Sequence, residues 1–322
     1  MIIVTGGAGF IGSAVVWRLN RAGIDDILVV DNLATSEKWK NLVNRRFRDY
    51  LHKSELPELL LSGKLDNVTA IVHMGACSST TEKDADYLMR NNFRYSKTLA
   101  EYALARSIRF VNASSAATYG DGETGFSDDV EKLDRLRPLN MYGYSKHLFD
   151  LWAAGTGALN RLASLKFFNV FGPNEYHKGD MSSVIYKAFF QVRDTGRIRL
   201  FKSCREGYAD GGQMRDFVYV KDCADIIGWL VEHPGVNGLF NVGTGRARTW
   251  NDLAASVFSA MGVTPCVEYI DMPPSLRDRY QYFTQADTGK LKSAGCPVAY
   301  TPLEEATTDY IVHYLRQPDP YL

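Results

Sequence analysis

Tyr142, Lys146 and Ser115 are the residues whose types and spacing point most directly to chemistry. Tyr142 and Lys146 lie four positions apart, so in a helix they share one face. An ammonium beside a phenol stabilises the phenolate and lowers a pKa that is otherwise about 10. We therefore expect Tyr142 to accept and donate a proton near neutral pH, with the Ser115 hydroxyl holding a substrate oxygen against it. Taken alone, a Tyr-x-x-x-Lys pair is also typical of a solvated helix face.

A glycine-rich stretch near the N-terminus indicates what completes this chemistry. Its glycines are Gly6, Gly9 and Gly12. They follow a predicted strand over 1–5 and precede a predicted helix over 13–19, where a tight turn lets a pyrophosphate approach the helix N-terminus. Asp31 ends the second predicted strand, about 20 positions later, which is the place of a group that binds the adenosine ribose. The spacing predicts a dinucleotide site, and with it a hydride carrier for alcohol and ketone chemistry.

Composition limits the remaining possibilities. The 322 residues are 45% hydrophobic and 23% charged, as expected for a globular protein with one large or two smaller cores. Lysine plus arginine equals aspartate plus glutamate, so the formal net charge of zero implies no overall attraction to nucleic acid or membrane. The first predicted strand begins at Ile2 and no apolar run approaches the ~20 residues of a membrane span, so we expect a cytoplasmic protein without a signal peptide.

Cysteine and histidine usage predicts no metal site. The five cysteines are scattered, odd in number and without Cys-x-x-Cys spacing, which is typical of free thiols in a reducing cytoplasm. The six histidines show no metal-ligand spacing.

Alternating patterns predict an α/β fold with a Rossmann-type, doubly wound parallel sheet. Further strands are predicted over 69–73, 109–113, 165–169, 198–201, 217–220 and 240–242. Further helices are predicted over 54–62, around 91–95, around 142–146 and over 181–194, 250–261 and 303–315. The polar, glycine-rich segment 203–214 is predicted to be a mobile surface loop.

Several motifs together resemble the extended short-chain dehydrogenase/reductase superfamily, whose members act on nucleotide sugars. They occupy 6–12, 31–32, 114–120, 142–146, 169–173 and 215–220, so the resemblance covers nearly the whole chain. Within that superfamily the chain is most similar to enzymes that epimerise C6″ of an ADP-bound heptose. The stretches that carry this closer similarity are 73–82, 138–146, 177–179 and 279–287.

The resemblance implies oxidation at C6″ with tightly bound NADP and return of the hydride to the opposite face, in the supply of heptose for the lipopolysaccharide inner core. Because Tyr142 lies on one side of that carbon, a second acid/base is needed, and by its motif position this group is Lys178. Such a lysine needs a lowered pKa, since an ammonium accepts no proton. The alternative is that Lys178 binds the substrate diphosphate.

The resemblance also assigns binding residues. Those expected to contact the cofactor are Gly6, Gly9, Phe10, Ile11, Gly12, Asp31, Asn32, Lys38, Lys53, Met74, Gly75, Ala76, Cys77, Ser78, Asn91, Lys146 and Val170. Those expected to line the substrate site are Ser115, Asn169, Asp180, Lys187, Phe201, Lys202, Ser203, Cys204, Arg215 and Tyr280.

Particular residues qualify this assignment. Arg215 is the best phosphate ligand because a guanidinium binds phosphate oxygens in pairs, and its alternative is a salt bridge to Asp216. Asp31 suits an NAD ribose better than a 2′-phosphate, whereas Lys38 and Lys53 offset that repulsion, so NADP is favoured and NAD stays open.

Three positions depart from the pattern of the resemblance. Asp180 stands in place of a serine and Lys187 in place of a histidine, and the 203–214 loop is longer than usual. A carboxylate would repel a diphosphate, so Asp180 is expected to point away or to bind sugar hydroxyls. The long loop is expected to reshape the substrate mouth.

Three other functions share some of these features, and particular residues distinguish each of them from the function described above. A UDP-hexose 4-epimerase shares the Ser–Tyr–Lys set but needs no second base at Lys178. A sugar-nucleotide 4,6-dehydratase carries an Asp-Glu pair where this chain has Ala116 and Ala117. A cofactor-sensing regulator on this fold commonly lacks the Tyr/Lys pair.

The predicted organisation has two discontinuous units. Residues 1–168 plus about 216–246 are expected to form the NADP-binding domain, and about 169–215 plus 247–322 a smaller α/β substrate domain. The resemblance further implies a homo-oligomer, often a pentamer, with a small nucleotide sugar as partner.

Overall fold

A computed structural model describes residues 1–65, 67–277 and 280–322. Its strands are β1 (Ile2–Thr5), β2 (Ile27–Asp31), β3 (Asp49–His52), β4 (Ala70–His73), β5 (Arg109–Ser115), β6 (Ala163–Phe167), β7 (Asn169–Phe171), β8 (Ile198–Phe201), β9 (Met214–Tyr219), β10 (Gly238–Val242), β11 (Ala247–Thr249) and β12 (Val267–Ile270). Its α-helices are α1 (Phe10–Arg21), α2 (Leu56–Leu61), α3 (Ala85–Leu88), α4 (Tyr95–Ala105), α5 (Met141–Gly155), α6 (Val184–Thr195), α7 (Val220–Glu232), α8 (Trp250–Met261), α9 (Pro274–Arg277), α10 (Gly289–Ser293) and α11 (Leu303–Tyr310).

The central sheet confirms the predicted fold class. Within the described residues, seven strands pair in parallel in the order β10-β6-β5-β4-β1-β2-β3. The chain therefore winds outward in one direction from β1 and in the other from β4. Ligands of such sheets bind at the carboxyl ends of the strands, beside the point where the winding direction reverses.

Helices cover both faces of this sheet because its strands are apolar on both sides. On one face α1 and α7 pack together, with Val16 and Ile227 in the same buried cluster as β1 and β2. On the other face α4 and α5 bury Leu99 and Phe149 against the strands. This two-sided burial explains the continuous runs of valine and isoleucine in the first strands.

The small sheets lie beyond the central one. β7, β9 and β11 form a three-stranded sheet, and β8 pairs in parallel with β12. A second buried cluster joins them to α6, α8 and α11 through side chains such as Ile185, Val257 and Tyr310.

Some predicted element boundaries were wrong. The strand predicted over 165–169 is two strands, because the chain leaves the central sheet after Phe167 and Asn169 pairs with β9 instead. The helix predicted from 181 begins at Val184, since the Ser183 side chain accepts the Tyr186 N–H and caps it. The helix predicted over 303–315 changes at Ile311 into a π-helical turn.

The 203–214 segment connects β8 to β9. Residues 204–207 are exposed, whereas Gln213 is fully buried and the chain re-enters a strand at Met214. The Ser203 N–H donates to Asp210 and the Cys204 N–H to the Tyr282 hydroxyl. The first bond joins the two ends of the loop to each other and the second ties its start to Tyr282, and the mobility of the loop stays a prediction.

Candidate active site

The glycine-rich turn lies between β1 and α1, at the carboxyl end of the central sheet. Gly6 has φ +65°, and a Cβ on Gly12 would stand 2.0 Å from the Gly6 carbonyl oxygen. Gly9 precedes α1 without a capping side chain, and the first turn of α1 has no acidic residue. The N–H groups at that end are thus available to an anion, and the turn fits a dinucleotide pyrophosphate.

Asp31 is held at the end of β2 by three donors. The Ala8 N–H donates to Oδ2 over 2.9 Å, the Asn32 N–H to Oδ1 over 2.7 Å, and the Lys38 ammonium binds Oδ1 at 2.7 Å. The carboxylate is 7% exposed. Lys38 therefore compensates the Asp31 charge where an adenosine ribose would lie.

A small pocket of about 110 Å³ continues from Asp31. It gathers the remaining predicted adenosine-side residues, namely Asn32, Lys53, Cys77 and Asn91. Lys53 Nζ donates to Asn91 Oδ1 over 2.5 Å. Burial, with help from the Lys38 charge, lowers the pKa of Lys53. The pocket is thus lined by two lysines and by the Asp31 carboxylate, which pairs with one of them.

The 74–78 loop follows β4 and is held in place by hydrogen bonds of His73 and Cys77. His73 is fully buried, with Nδ1 2.5 Å from Thr5 Oγ1 and Nε2 2.7 Å from Ser96 Oγ. Burial lowers the pKa of His73 to about 3, so this histidine is neutral. The Cys77 N–H donates to Asn92 Oδ1. The loop backbone is therefore held open toward the cleft.

A cleft of about 680 Å³ joins these elements to the predicted reactive residues. The predicted residues that line it are Gly6, Gly9, Phe10, Ile11, Gly12, Asp31, Lys38, Met74, Gly75, Ala76, Ser78, Ser115, Tyr142, Lys146, Asn169, Val170 and Lys178. Residues from the buried cluster around β1 and β2 and from the cluster around the small sheets thus meet in one site. This is expected for a dinucleotide and a second ligand that bind side by side.

Tyr142 and Lys146 lie one turn apart on α5. The helix begins there because the Asn140 side chain accepts the Gly143 N–H over 2.8 Å. Burial raises the pKa of Tyr142, and a hydrogen bond with Ser115 opposes that rise. Burial lowers the pKa of Lys146 to about 8, against the Asp150 carboxylate, which raises it.

The predicted direct effect of Lys146 on Tyr142 was wrong for this conformation. Lys146 Nζ donates to the Ala113 carbonyl over 2.7 Å, at the end of β5. Burial is the largest cause and raises the pKa of Tyr142, the hydrogen bond with Ser115 opposes it, and Lys146 is not among the causes.

Lys178 enters the cleft from a short 3₁₀ segment between β7 and α6. Its Nζ lies 5.1 Å from the centroid of the Phe10 ring. Burial lowers the pKa of Lys178, and the Glu175 carboxylate opposes this. The direction agrees with what an acid/base lysine requires.

Asp180 and Lys187 are not among the cleft-lining residues that the structure describes. Asp180 is exposed, and its backbone carbonyl accepts the Lys187 ammonium over 2.6 Å. This bond involves the Asp180 backbone and leaves its carboxylate in solvent. Whether Asp180 points away from the diphosphate or binds sugar hydroxyls stays a prediction.

Arg215 and Tyr280 form an aromatic-walled group next to the cleft residues Trp250 and Gln281. The guanidinium donates to the Met214 and Gln281 carbonyls and lies 5.2 Å from the Tyr280 ring centroid. The Tyr280 hydroxyl accepts the Trp250 indole N–H over 2.8 Å. These contacts anchor the group beside the part of the cleft away from the glycine turn.

The alternative of an Arg215–Asp216 salt bridge was wrong. The Asp216 carboxylate accepts the N–H groups of Thr244, Gly245 and Ala286 over 2.7 to 3.0 Å. Because those donors satisfy Asp216, the Arg215 charge remains without a carboxylate partner among the described residues.

The other predicted substrate residues lie around the same group. The Phe201 ring contacts Tyr280 edge-on, with centroids 6.3 Å apart. Ser203 and Cys204 follow in the adjacent loop, whereas Lys202 binds Asp271 at the surface over 3.1 Å. Arg279, part of one predicted motif, lies outside the described residues.

Sequence reasoning missed several cleft residues. They are Ser36, Thr80, Met181, Ser182, Ser183, Val184, Ile185, Phe217, Trp250, Leu253, Gln281 and Thr284. Adjacency gives a signal for two of these sets, since 181–185 follows the Lys178 motif and Gln281 follows Tyr280. Trp250 carries no such signal, because it reaches the cleft from the start of α8.

Other kinds of site find no support in the parts of the chain that the structure describes. No cluster of three metal-ligating side chains occurs there. No described helix has the length and apolarity to cross a membrane. The five cysteines are all free thiols.

Comparison with known proteins agrees with this geometry. The model of the NAD dependent epimerase/dehydratase family matches residues 2–243. The ADP-L-glycero-D-manno-heptose-6-epimerase of Nitratidesulfovibrio vulgaris strain Hildenborough is 64% identical, over 100% of both chains.

Solved structures give the same fold. The Helicobacter pylori ADP-L-glycero-D-manno-heptose-6-epimerase superposes with a TM-score of 0.82 at 26% identity, covering 97% of this chain and 95% of that one. The Thermus thermophilus UDP-glucose 4-epimerase, in complex with NAD, gives a TM-score of 0.74 at 26% identity, covering 97% and 98%.

Proposed function

The chain belongs to the NAD dependent epimerase/dehydratase family, and we propose that it converts ADP-D-glycero-β-D-manno-heptose to ADP-L-glycero-β-D-manno-heptose by inversion at C6″. The observation that carries this proposal is the 64% identity, over the whole chain, to an enzyme of that name. The cleft supports it independently, because it presents two proton-transfer candidates, Tyr142 and Lys178, from different elements.

Tyr142 is proposed to exchange the proton of the C6″ hydroxyl for one epimer. Ser115, in hydrogen-bond contact with Tyr142, holds the same substrate oxygen. The cleft residues would hold a nicotinamide cofactor, which when bound would supply hydride acceptance and return at this carbon. Lys146, whose pKa is lowered to about 8 by burial, would contact that cofactor from the turn of α5 after Tyr142.

Lys178 is proposed to exchange the proton of the other epimer. After oxidation C6″ is planar, and inversion requires a proton donor on the face that Tyr142 does not reach. Burial against Phe10 lowers the pKa of Lys178, which makes a neutral amine accessible nearer to physiological pH. Binding of the substrate diphosphate is the competing role.

Arg215, Tyr280, Phe201 and Asn169 are proposed to hold the nucleotide sugar. The Arg215 guanidinium has no carboxylate partner among the described residues and lies over the aromatic rings of Trp250 and Tyr280, which hold the cation in place. Its remaining hydrogen-bonding capacity suits diphosphate oxygens. Ser203, Cys204, Lys202, Asp180 and Lys187 are proposed to shape the rim of this site.

The cofactor is proposed to be NADP. A nicotinamide cofactor is common to the family, and the choice of its ribose rests on the charges around Asp31. Lys38 pairs with Asp31, and Lys53 lies in the adjoining pocket. The two cations leave this region able to accept a 2′-phosphate, which a lone carboxylate would repel.

Replacing Lys38 by alanine is expected to change which nucleotide the protein retains. Loss of one charge-assisted contact removes about 10-fold or more of the preference for NADP over NAD. The nucleotide released on denaturation, after equilibration with both cofactors, gives the ratio. Lys40→Ala is the matched control, because Lys40 pairs with Glu37 at the surface. An unchanged ratio in Lys38→Ala would contradict the assigned role.

The wider organisation follows as further proposals. Residues 1–168 plus about 216–246 are proposed as the cofactor domain, and about 169–215 plus 247–322 as the substrate domain. We also propose a homopentamer in the cytoplasm that supplies heptose for the lipopolysaccharide inner core. Free thiols are consistent with a reducing compartment.

The direct test is incubation of the purified protein with ADP-D-glycero-β-D-manno-heptose and no added cofactor. We expect NMR to show inversion at C6″, and denaturation to release NADP. Turnover of UDP-glucose to UDP-galactose, without action on the heptose, would instead support the 4-epimerase alternative. Release of cofactor without turnover of either sugar would contradict both.

A further inference from the structure

Glu175 is a buried carboxylate that the proposed reaction does not use. It lies three residues before Lys178 and has no exposed surface. It does not occur among the described residues that line the cleft. A buried carboxylate without a compensating role is costly, so its contacts require an explanation.

The Glu175 side chain joins the two ends of the segment that carries Lys178. Oε1 accepts the Gly172 N–H over 3.2 Å and the Ser183 hydroxyl over 2.8 Å, while Oε2 accepts the Ser183 N–H. Gly172 follows β7, and Ser183 caps α6. The Glu175 carboxylate therefore bonds to both ends of the 172–183 segment and holds them together.

The backbone of the same residue positions Lys178 locally. The Lys178 N–H donates to the Glu175 carbonyl over 3.0 Å, which forms the 3₁₀ turn. Gly179, with φ +52°, then reverses the chain toward α6. Lys178 and Glu175 are thus the hydrogen-bonded ends of the same 3₁₀ turn.

We propose that Glu175 is a positioning residue, which fixes the Lys178 segment in the cleft and supplies the counter-charge of the Lys178 ammonium. The inference rests on the proposed function, since it assigns to Glu175 an effect on proton transfer by Lys178. No contact with substrate or cofactor is implied.

The charges around Lys178 favour this pairing. Burial lowers the pKa of Lys178, and Glu175 raises it. The neighbouring His177 is neutral, because burial lowers its pKa to about 4, with further lowering by Lys38 and Lys178. Asp31, which raises that pKa, is itself paired with Lys38. Phe10 provides an uncharged wall.

Besides Lys178, the titratable groups beside Glu175 are tyrosines, one on its own segment and one each on α6 and α11. Burial raises the pKa of three tyrosine hydroxyls there, and the nearby Glu175 charge adds to that rise; they are Tyr176, Tyr186 and Tyr310. Burial also raises the pKa of Glu175, while its bonds to Ser183 and Gly172 and the Lys178 charge lower it. Lys178 is thus the cation whose charge acts on Glu175, although the two side chains form no direct ion pair.

The expected sign of the effect follows. Without the Glu175 charge, the Lys178 ammonium loses its stabilising partner, so the pKa of Lys178 falls further. The limb of the pH–rate profile that belongs to Lys178 then moves to lower pH. This holds whether Lys178 acts as base or as acid in the measured direction.

The experiment compares Glu175→Gln with wild-type enzyme carrying its resident cofactor. We expect kcat to fall about 10- to 100-fold, as for a misplaced catalytic group. The limb that disappears in Lys178→Met should move to lower pH in Glu175→Gln. An unmoved limb, with kcat reduced only as far as thermal stability falls, would overturn the proposal and leave a structural role.

A double variant separates this inference from the proposed function. In a Lys178→Met background, Glu175→Gln is expected to cause little further loss of kcat, because both act through one group. Fully multiplicative losses would overturn the inference. If Lys178→Met alone leaves turnover unchanged, the proposed role of Lys178 fails instead.

Two further variants keep the test decisive if Glu175→Gln does not fold. Glu175→Asp retains the charge but has a side chain too short to reach both Gly172 and Ser183. We therefore expect kcat to fall while the Lys178 limb of the pH–rate profile stays in place. Ser183→Ala removes one contact and keeps the charge, with the same expectation at smaller magnitude. Unchanged kcat in both variants would overturn the proposal.

Discussion

Replacing Tyr142 by phenylalanine is expected to reduce kcat by about 10²- to 10⁴-fold, the usual contribution of a positioned acid/base. The change removes one hydroxyl and keeps the ring, so the packing of α5 should persist. The hydrogen bond with Ser115 is lost, and with it the group that exchanges the C6″ hydroxyl proton. Turnover of the heptose, followed by NMR at C6″, is the measurement.

Tyr144 offers a matched control for this variant. It lies two residues further along the same helix, and 45% of its side chain is exposed. Tyr144→Phe should therefore retain wild-type kcat. Both variants should release the same amount of nucleotide on denaturation, because Tyr142 is proposed to act on the substrate oxygen. A Tyr142→Phe enzyme with kcat within a fewfold of wild type would exclude the assigned role.

The pKa of Tyr142 and the position of Lys146 both bear on the expected effect of Tyr142→Phe. The phenol is buried, so its raised pKa disfavours the phenolate until a substrate oxygen and the Ser115 hydroxyl share its proton. Lys146 binds the Ala113 carbonyl, which keeps its positive charge close to α5 without a direct bond to the phenol.

Much of the cofactor half was predictable from sequence. The strand–turn–helix pattern around Gly6 to Gly12 and the spacing to Asp31 depend on residues close in the chain, and the strand order of a doubly wound sheet follows from alternation. Each of these features is determined by backbone conformation and short-range pattern. The structure confirms the sheet and places every predicted cofactor residue at the cleft or its adjoining pocket.

The substrate half was predicted less well because its contacts are distant in sequence. Arg215 binds the Gln281 carbonyl, 66 residues away, and Trp250 reaches Tyr280 across 30. Spacing and composition contain no signal for such pairs. The adjacent Asp216 seemed a natural partner for Arg215, yet its carboxylate is bound by backbone N–H groups from another segment.

Strand boundaries failed for a similar reason. Residues 165–169 were predicted as one strand, and only the pairing of Asn169 with Phe217 shows that the chain changes sheets there. That change is what brings the Lys178 segment over the cleft. The same local feature that was unpredictable therefore positions Lys178, the proposed second acid/base.

Replacing Lys178 by methionine is expected to reduce kcat by about 10²- to 10⁴-fold with little change in KM. Methionine keeps the aliphatic length beside Phe10 and removes the amine, so proton exchange on the second face is lost. If Lys178 instead binds the diphosphate, KM should rise while kcat is largely kept. Steady-state rates with the heptose substrate separate the two roles.

Lys178→Arg sharpens the distinction, because a guanidinium retains the charge but does not give up a proton near neutral pH. An acid/base role predicts that arginine fails to restore kcat, whereas diphosphate binding predicts partial rescue of KM. Lys132→Met serves as the control, since Lys132 is exposed and lines no described part of the cleft. Because Tyr142 remains in place, a Lys178→Met enzyme should still oxidise, in a single half-reaction, the one epimer whose hydroxyl proton Tyr142 accepts, and reduction of the resident cofactor reports it. Loss of that half-reaction for the other epimer alone would locate Lys178 on the opposite face of C6″, whereas loss for both epimers would contradict that position.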